Sequence, residues 1–97
     1  MASYIIVNYN VDEPEGYKAY QQGAGAALRI GTDSNVRVLD SNTETLEGDT
    51  AGTQTVVLEF ESREKALEIW NGDDYRAIVG QRHDATSKHF AILVDSL

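Results

Sequence analysis

The chain has 97 residues, no cysteine, and 16 acidic against 8 basic side chains, for a net charge of −8. This length accommodates one modest core, so a single domain over residues 1–97 is predicted. The composition excludes disulfides and thiolate metal sites, the acidic surplus disfavours nucleic-acid and membrane partners, and no apolar run is long enough to span a membrane.

The first predicted element is a strand, since Ser3–Val11 reads SYIIVNYNV and is rich in β-branched and aromatic residues. Both of its faces begin with apolar side chains, Ile5 and Val7 on one face and Tyr4 and Ile6 on the other. We therefore expect this strand to be covered on both sides for part of its length.

A helix is predicted from Pro14, which suits a first helical turn, to about Ile30, with Gly31 as its C′ residue. Its three internal glycines each weaken the helix by about 1 kcal/mol relative to alanine, so packing must hold it. The apolar stripe of this helix consists of Tyr17, Tyr20, Ala24, Ala27 and Leu28.

Two short strand pieces are predicted at Val36–Leu39 and Thr43–Leu46, separated by a turn or bulge signal at Asp40–Asn42. The clearest strand is Thr53–Phe60, an apolar run that Glu59 interrupts near its end.

The last third of the chain predicts two helices and a strand. Ser62 suits the N-cap of a helix that ends near Asn71, and Asp73 suits the N-cap of a second helix over Asp74–His83. The final strand is predicted over Lys88–Asp95, where apolar side chains occupy both faces.

The resulting element order, β-α-β-β-α(α)-β, is the α+β ferredoxin-like pattern, a split βαβ with a four-stranded antiparallel sheet and helices on one face. This arrangement leaves the second sheet face bare, although at least three of the strands carry large apolar residues on both faces. Because such a patch is unfavourable in water, we expect a homodimer in which two sheets face each other.

A set of short segments follows one order along most of the chain: Tyr4–Tyr9, Glu13–Tyr17 with Tyr20, Leu46–Asp49, Val56–Arg63, Trp70, Asp74–Ile78 and Arg82. In this set the chain resembles the bacterial family called domain of unknown function 1330, of the dimeric α/β-barrel superfamily. The resemblance implies a dimeric barrel of two ferredoxin-like sheets and no established activity. Related dimeric barrels are similar to small cofactor-free monooxygenases and isomerases, which use a cleft between sheet and helices.

Arg82 is the first candidate site residue. It continues the helical stripe of Tyr75 and Val79, so its guanidinium is expected at the edge of a buried face. There it can bind a ligand carboxylate or an enolate-like oxyanion. The alternative is a structural ion pair with Glu59, Glu61 or a helix end.

Glu59 is the second candidate catalytic residue. If it is buried within its apolar strand, its pKa should be raised, and it could act as a general base or acid. The alternative is a paired carboxylate at a strand end or across a dimer interface.

Aromatic and amide side chains are the candidate ligand-binding groups. Tyr17, Tyr20, Trp70 and Tyr75 could wall a cleft for a flat ligand or could simply be core residues. Asn8 could orient a ligand carbonyl from the first strand or be solvated at a sheet edge.

These residues support cofactor-free proton transfer, isomerisation or oxygenation of a small organic acid or planar metabolite. The alternative is a non-catalytic dimeric module that binds a small ligand or a protein partner. His83 and His89 follow no metal-ligand spacing, so no metal and no cofactor are predicted. With no leader-peptide signal at the N-terminus, the expected location is the cytoplasm.

Overall fold

The computed structural model describes residues 1–97, and its elements are β1 (Ser3–Val11), α1 (Pro14–Ala27), β2 (Ser34–Asp40), β3 (Gln54–Phe60), α2 (Arg63–Trp70), α3 (Asp73–Arg76), α4 (Val79–Ala85) and β4 (Thr86–Asp95). The four strands form one antiparallel sheet in the order β2-β3-β1-β4. This order and connectivity confirm the predicted α+β ferredoxin-like fold. None of the helices is long and apolar enough to cross a membrane.

The core lies between the helices and one face of the sheet. Ile5, Val7 and Tyr9 of β1 are buried there, together with Leu58 and Phe60 of β3. Alternation along each strand sends the intervening side chains to the opposite face. This agrees with the two apolar faces predicted for the first strand.

We call the sheet surface away from the helices the open face. Cross-strand register places seven large apolar side chains on it, and three of them are strongly exposed: Val38 (41%), Phe90 (39%) and Ile92 (48%). The other four are Tyr4, Ile6, Val57 and Val94. The chain by itself therefore leaves an apolar sheet surface facing water.

The predicted strand piece Thr43–Leu46 is wrong. The sheet strand β2 is one continuous segment with a register shift beside Arg37, and the chain leaves the sheet after Asp40. Beyond Asp40, the Thr43 N–H donates to the Thr53 carbonyl at 3.0 Å, and the Thr43 hydroxyl lies 2.7 Å from a carboxylate oxygen of Asp40 and 2.6 Å from the hydroxyl of Thr55.

Helix α1 ends three residues earlier than predicted, and Gly31 is not its C′ residue. Arg29 adopts the left-handed conformation (φ 55°) at that position. The Arg29 N–H donates to the Ala26 carbonyl, and the Ile30 N–H donates to the Gly25 carbonyl at 2.9 Å. These two bonds form a Schellman motif, which closes the helix without a glycine at C′.

The predicted helix over Asp74–His83 is divided into α3 and α4, with Ala77 and Ile78 between them. Gly72 rather than Asp73 is the N-cap residue of α3, and it makes no side-chain capping bond. The cap of α2 is as predicted, since the Ser62 hydroxyl accepts a bond from the Lys65 N–H.

The loop before β3 is clamped to β1 through Gly52. A Cβ atom at this position would lie 2.1 Å from the carbonyl carbon of Tyr9, closer than any packing allows. We expect Gly52→Ala to lower the free energy of unfolding by about 3 kcal/mol, measured by urea denaturation.

Gly80→Ala is the matched control, because a Cβ there meets nothing within 4 Å and the residue lies in α4. It should raise the free energy of unfolding by up to about 1 kcal/mol. Equal free energies of unfolding for Gly52→Ala and Gly80→Ala would contradict the close contact of Gly52 with β1.

Candidate functional site

An apolar cavity of about 170 Å³ lies between α1 and the helix-covered face of the sheet. Five aromatic side chains dominate its lining: Tyr9, Tyr17, Tyr20, Trp70 and Tyr75. We call it the aromatic cavity. A dry cavity of about 150 Å³ holds a benzene molecule, so this volume suits one six-membered ring.

The tyrosines of the cavity are joined in two hydroxyl pairs. The oxygens of Tyr9 and Tyr17 are 2.6 Å apart, and those of Tyr20 and Tyr75 are 2.7 Å apart. Each pair has two hydroxyl hydrogens but only one bond between its members, so one hydrogen in each pair is free to donate. Burial raises the pKa of Tyr9 and of Tyr20, which keeps both phenols protonated.

Arg82 lies behind this aromatic wall and is only 3% exposed. Its guanidinium carbon is 5.3 Å from the ring centre of Tyr9, 5.9 Å from that of Trp70 and 6.0 Å from that of Tyr20. Its Nε and Nη1 atoms are buried without an acceptor. No carboxylate lies within ion-pair distance, so the alternative of a structural pair with Glu59 or Glu61 is not realised.

A second depression, of about 330 Å³, is lined by four cationic or titratable side chains together with Trp70 and Phe90. We call it the cationic groove and define it by Arg76, Arg82, His83 and His89. Trp70 lines both this groove and the aromatic cavity. The two features therefore share one wall.

The histidine rings of the cationic groove are stacked, with centres 4.8 Å apart and planes 18° apart. Desolvation lowers the pKa of His83, and electrostatic interactions with Arg82, His89 and Arg76 act in the same direction. The Nε2 atom of His83 lies 3.5 Å from Nη2 of Arg82. His83 is therefore uncharged near neutral pH in the free protein.

A bulge in β4 positions His89. The register between β1 and β4 shifts so that two residues, Lys88 and His89, lie opposite Tyr9 alone. Lys88 adopts the left-handed conformation there (φ 55°), which a residue other than glycine takes at a cost of about 1–2 kcal/mol. Strained backbone of this kind clusters at functional sites, so its place beside the cationic groove is consistent with a site there.

Of the two interpretations of Glu59, the structure shows the paired carboxylate near a strand end and not the buried group with a raised pKa. Glu59 lies on the open face, where the Nε of Arg37 donates to its carboxylate at 2.8 Å and the hydroxyl of Tyr4 donates at 3.2 Å. The bond from Arg37 holds the pKa of Glu59 below its ordinary value, and the bond from Tyr4 acts in the same direction. The sheet thus separates Glu59 from Arg82, which lies on the helix side.

Asn8 also faces away from the aromatic cavity. Its side-chain amide donates to the carbonyl of Gly52 and to the hydroxyl of Thr55, and its side-chain oxygen accepts from the N–H of Gly52 at 2.6 Å. Both amide hydrogens are used, so Asn8 holds the loop in place and has no donor left for a ligand.

Four predicted ligand-binding residues do lie together in the aromatic cavity: Tyr17, Tyr20, Trp70 and Tyr75. The sequence reasoning omitted Tyr9, although alternation with Ile5 and Val7 places it on the same helix-facing side of β1. The contact between His83 and His89 was not predicted either, because the stacking of a helix residue on a strand residue leaves no local pattern. No cluster of three or more potential metal ligands is present.

The family model described as "Domain of unknown function (DUF1330)" matches residues 2–96, which confirms the resemblance. No curated protein matches the chain in sequence.

Solved structures share the fold at low sequence identity. A protein of unknown function from Rhodopseudomonas palustris has a TM-score of 0.77 at 19% identity, covering 99% of this chain and 82% of its own. A dimeric ferredoxin-like protein of unknown function from Thermobifida fusca has a TM-score of 0.70 at 12% identity, covering 99% and 92%. A Nitrosomonas europaea protein, provisionally described as an antibiotic biosynthesis monooxygenase, has a TM-score of 0.59 at 12% identity, covering 100% and 99%.

Proposed function

The chain belongs to the family described as Domain of unknown function (DUF1330), and from that premise we propose that it binds a small planar organic anion in the aromatic cavity. One observation carries this proposal. The cavity combines ring-sized apolar space with free phenolic donors, and a buried guanidinium without an acceptor lies directly behind its wall.

The chemistry of the cavity defines the ligand class. Aromatic side chains favour a flat ring, and the free hydrogen of each tyrosine pair requires an acceptor atom on that ring or on its substituent. Arg82 supplies positive potential across a poorly solvated region, where Coulomb interactions are much stronger than in water. A ring that carries a carboxylate, phenolate or enolate oxygen meets all three requirements.

Binding, rather than proton transfer by Glu59, is the activity that this arrangement favours. Glu59 lies on the open face, away from the cavity. The lining of the aromatic cavity contains no carboxylate, histidine or lysine. The second candidate is cofactor-free oxygenation of the same ligand, as the description of the Nitrosomonas europaea protein invites. The apolar cavity, which would keep a reactive enolate away from water, favours this candidate.

We propose in addition that the protein is a homodimer whose two open faces pack together. Val38, Phe90 and Ile92 remain strongly exposed on that face. The structural relative from Thermobifida fusca is described as dimeric, which supports this arrangement. The proposed single domain over residues 1–97 would be one half of the assembly.

A thermal-shift screen with benzoate, salicylate and other single-ring acids tests the binding proposal. A ligand present at about 100 times its dissociation constant stabilises the fold by about 2.7 kcal/mol, which raises the melting temperature by roughly ten degrees. We expect the double variant Tyr20→Phe/Tyr75→Phe to reduce that shift to less than half, because it removes both hydroxyls of one pair and with them the free donor of that pair.

Tyr4→Phe is the matched control, since the Tyr4 hydroxyl bonds Glu59 on the open face. This variant should show the same ligand-induced rise in melting temperature as the parent protein. If no ring acid raises the melting temperature, or if both variants behave like the parent protein, the aromatic cavity is not the binding site. Oxygen consumption with the best ligand then separates simple binding from turnover.

A further inference from the structure

We propose that the cationic groove is a second binding site, which takes a tetrahedral oxyanion such as the phosphate group of a small phosphorylated molecule. This inference goes beyond the ring-binding proposal. It depends on a different set of side chains, and the two sites have only Trp70 and the guanidinium of Arg82 in common.

The distribution of charge is the first support. The chain has five arginines, and Arg29, Arg37 and Arg63 all form ion pairs with carboxylates. Arg76 and Arg82, which pair with none, both line the cationic groove. In a protein with twice as many acidic as basic side chains, two neighbouring arginines without a counter-ion indicate a site for an external anion.

The burial of Arg82 is the second support. A guanidinium that is 3% exposed and has two nitrogens without acceptors loses hydration that nothing in the protein replaces with hydrogen bonds. The surrounding rings offset only part of this cost. An oxyanion in the groove, which Arg82 lines, would place a compensating negative charge beside this guanidinium.

The directions from which donors approach favour a tetrahedral group over a planar one. Arg76 comes from α3, Arg82 and His83 from α4, and His89 from β4, so three separate elements line one groove. The Nε of Arg76 is already committed to the carbonyl of Trp70 at 3.0 Å, which fixes its position and leaves its terminal nitrogens free. Phosphate and sulfate offer acceptors in several directions, whereas a carboxylate offers them in one plane.

Binding should be linked to proton uptake. The groups that act electrostatically on His83 are Arg82, His89 and Arg76, which disfavour its protonation, and Asp84, which favours it. A bound dianion would reverse the balance and raise the pKa of His83, so affinity should strengthen as pH falls from about 7.5 to about 6. Sulfate is the suitable probe, because its own charge does not change over this interval.

The experiment is a titration of the isotope-labelled full chain with sulfate, inorganic phosphate and phenyl phosphate, followed by NMR. We expect the Arg82 Nε–H and the ring resonances of His83 and His89 to shift with sulfate. His89→Gln should weaken sulfate binding about tenfold, and His83→Gln should remove most of its pH dependence. Tighter binding of phenyl phosphate than of inorganic phosphate would identify a phosphate monoester as the ligand; equal binding would identify the free anion.

Lys88→Gln is the matched control, because it removes one positive charge next to His89 from a residue outside the groove lining. An equal loss of sulfate affinity in Lys88→Gln and His89→Gln would overturn the proposal. It would also be overturned if sulfate left the NMR resonance of the Arg82 Nε–H unchanged. The double variant Tyr20→Phe/Tyr75→Phe separates the two sites, because it removes hydroxyls that line the aromatic cavity and not the cationic groove. It should leave sulfate affinity unchanged, so this inference can fail while ring binding stands, or the reverse.

Discussion

Ile92→Asp is expected to convert the proposed homodimer into monomers. Ile92 is 48% exposed near the middle of the open face, where it lies opposite Ile6 of β1, itself paired with Val57 of β3. In a two-fold dimer the substitution occurs twice, and each new carboxylate would be buried among apolar side chains without a cation. Each such burial costs at least about 2 kcal/mol, so dimer affinity should fall by more than about a thousandfold.

Sedimentation velocity over a dilution series measures this change. Leu46→Asp is the matched control, since Leu46 is 87% exposed in the loop after β2 and lies outside the open face. That variant should remain dimeric, and far-ultraviolet circular dichroism should show both variants folded. A parent protein that is monomeric at micromolar concentration, or a dimeric Ile92→Asp, would contradict the proposed interface.

Strand alternation was the most informative local signal for the fold. It predicted the two apolar faces of β1, Ile5 and Val7 on one and Tyr4 and Ile6 on the other, as the structure has them. It did not show which of those faces the helices cover. That choice depends on cross-strand register and on the packing of α1 and α4, which short-range patterns do not contain.

The errors at element ends have a similar cause. Arg29 closes α1 in a left-handed conformation that residues other than glycine rarely adopt, and hydroxyl contacts with Asp40 and Thr55 hold Thr43 beyond the end of β2. Both outcomes depend on particular hydrogen bonds rather than on propensity. Local sequence preference could not have identified either one.

The candidate site was likewise predictable in part from local sequence and in part only from tertiary contacts. The stripe of Tyr17 and Tyr20 on α1 predicted a set of aromatic side chains facing the core, and the structure brings these residues to Trp70 and Tyr75. These aromatic side chains are both core residues and cavity wall, because space remains between α1 and the sheet. The stacking of His83 on a residue of another element required the full three-dimensional structure.

Arg82→Met is expected to stabilise the fold and to weaken the binding of both proposed ligands. The guanidinium is buried without a counter-ion, and the desolvation of such a charge costs several kcal/mol. Its contacts with the rings of Tyr9, Tyr20 and Trp70 return about 2 kcal/mol or less each. A methionine of similar length fills the same space, so the free energy of unfolding should rise by about 1–3 kcal/mol.

Urea denaturation measures the stability of Arg82→Met, and titrations with a ring acid and with sulfate measure its binding, which should weaken by more than about tenfold for both ligands. Arg82→Lys is the control that keeps the positive charge but loses the planar guanidinium; it should bring no stabilisation and only partial binding. The opposite result, a destabilised Arg82→Met with unchanged affinities, would make Arg82 a structural residue. A gain in stability with a loss of binding would instead show that the fold retains a costly buried charge for its ligand.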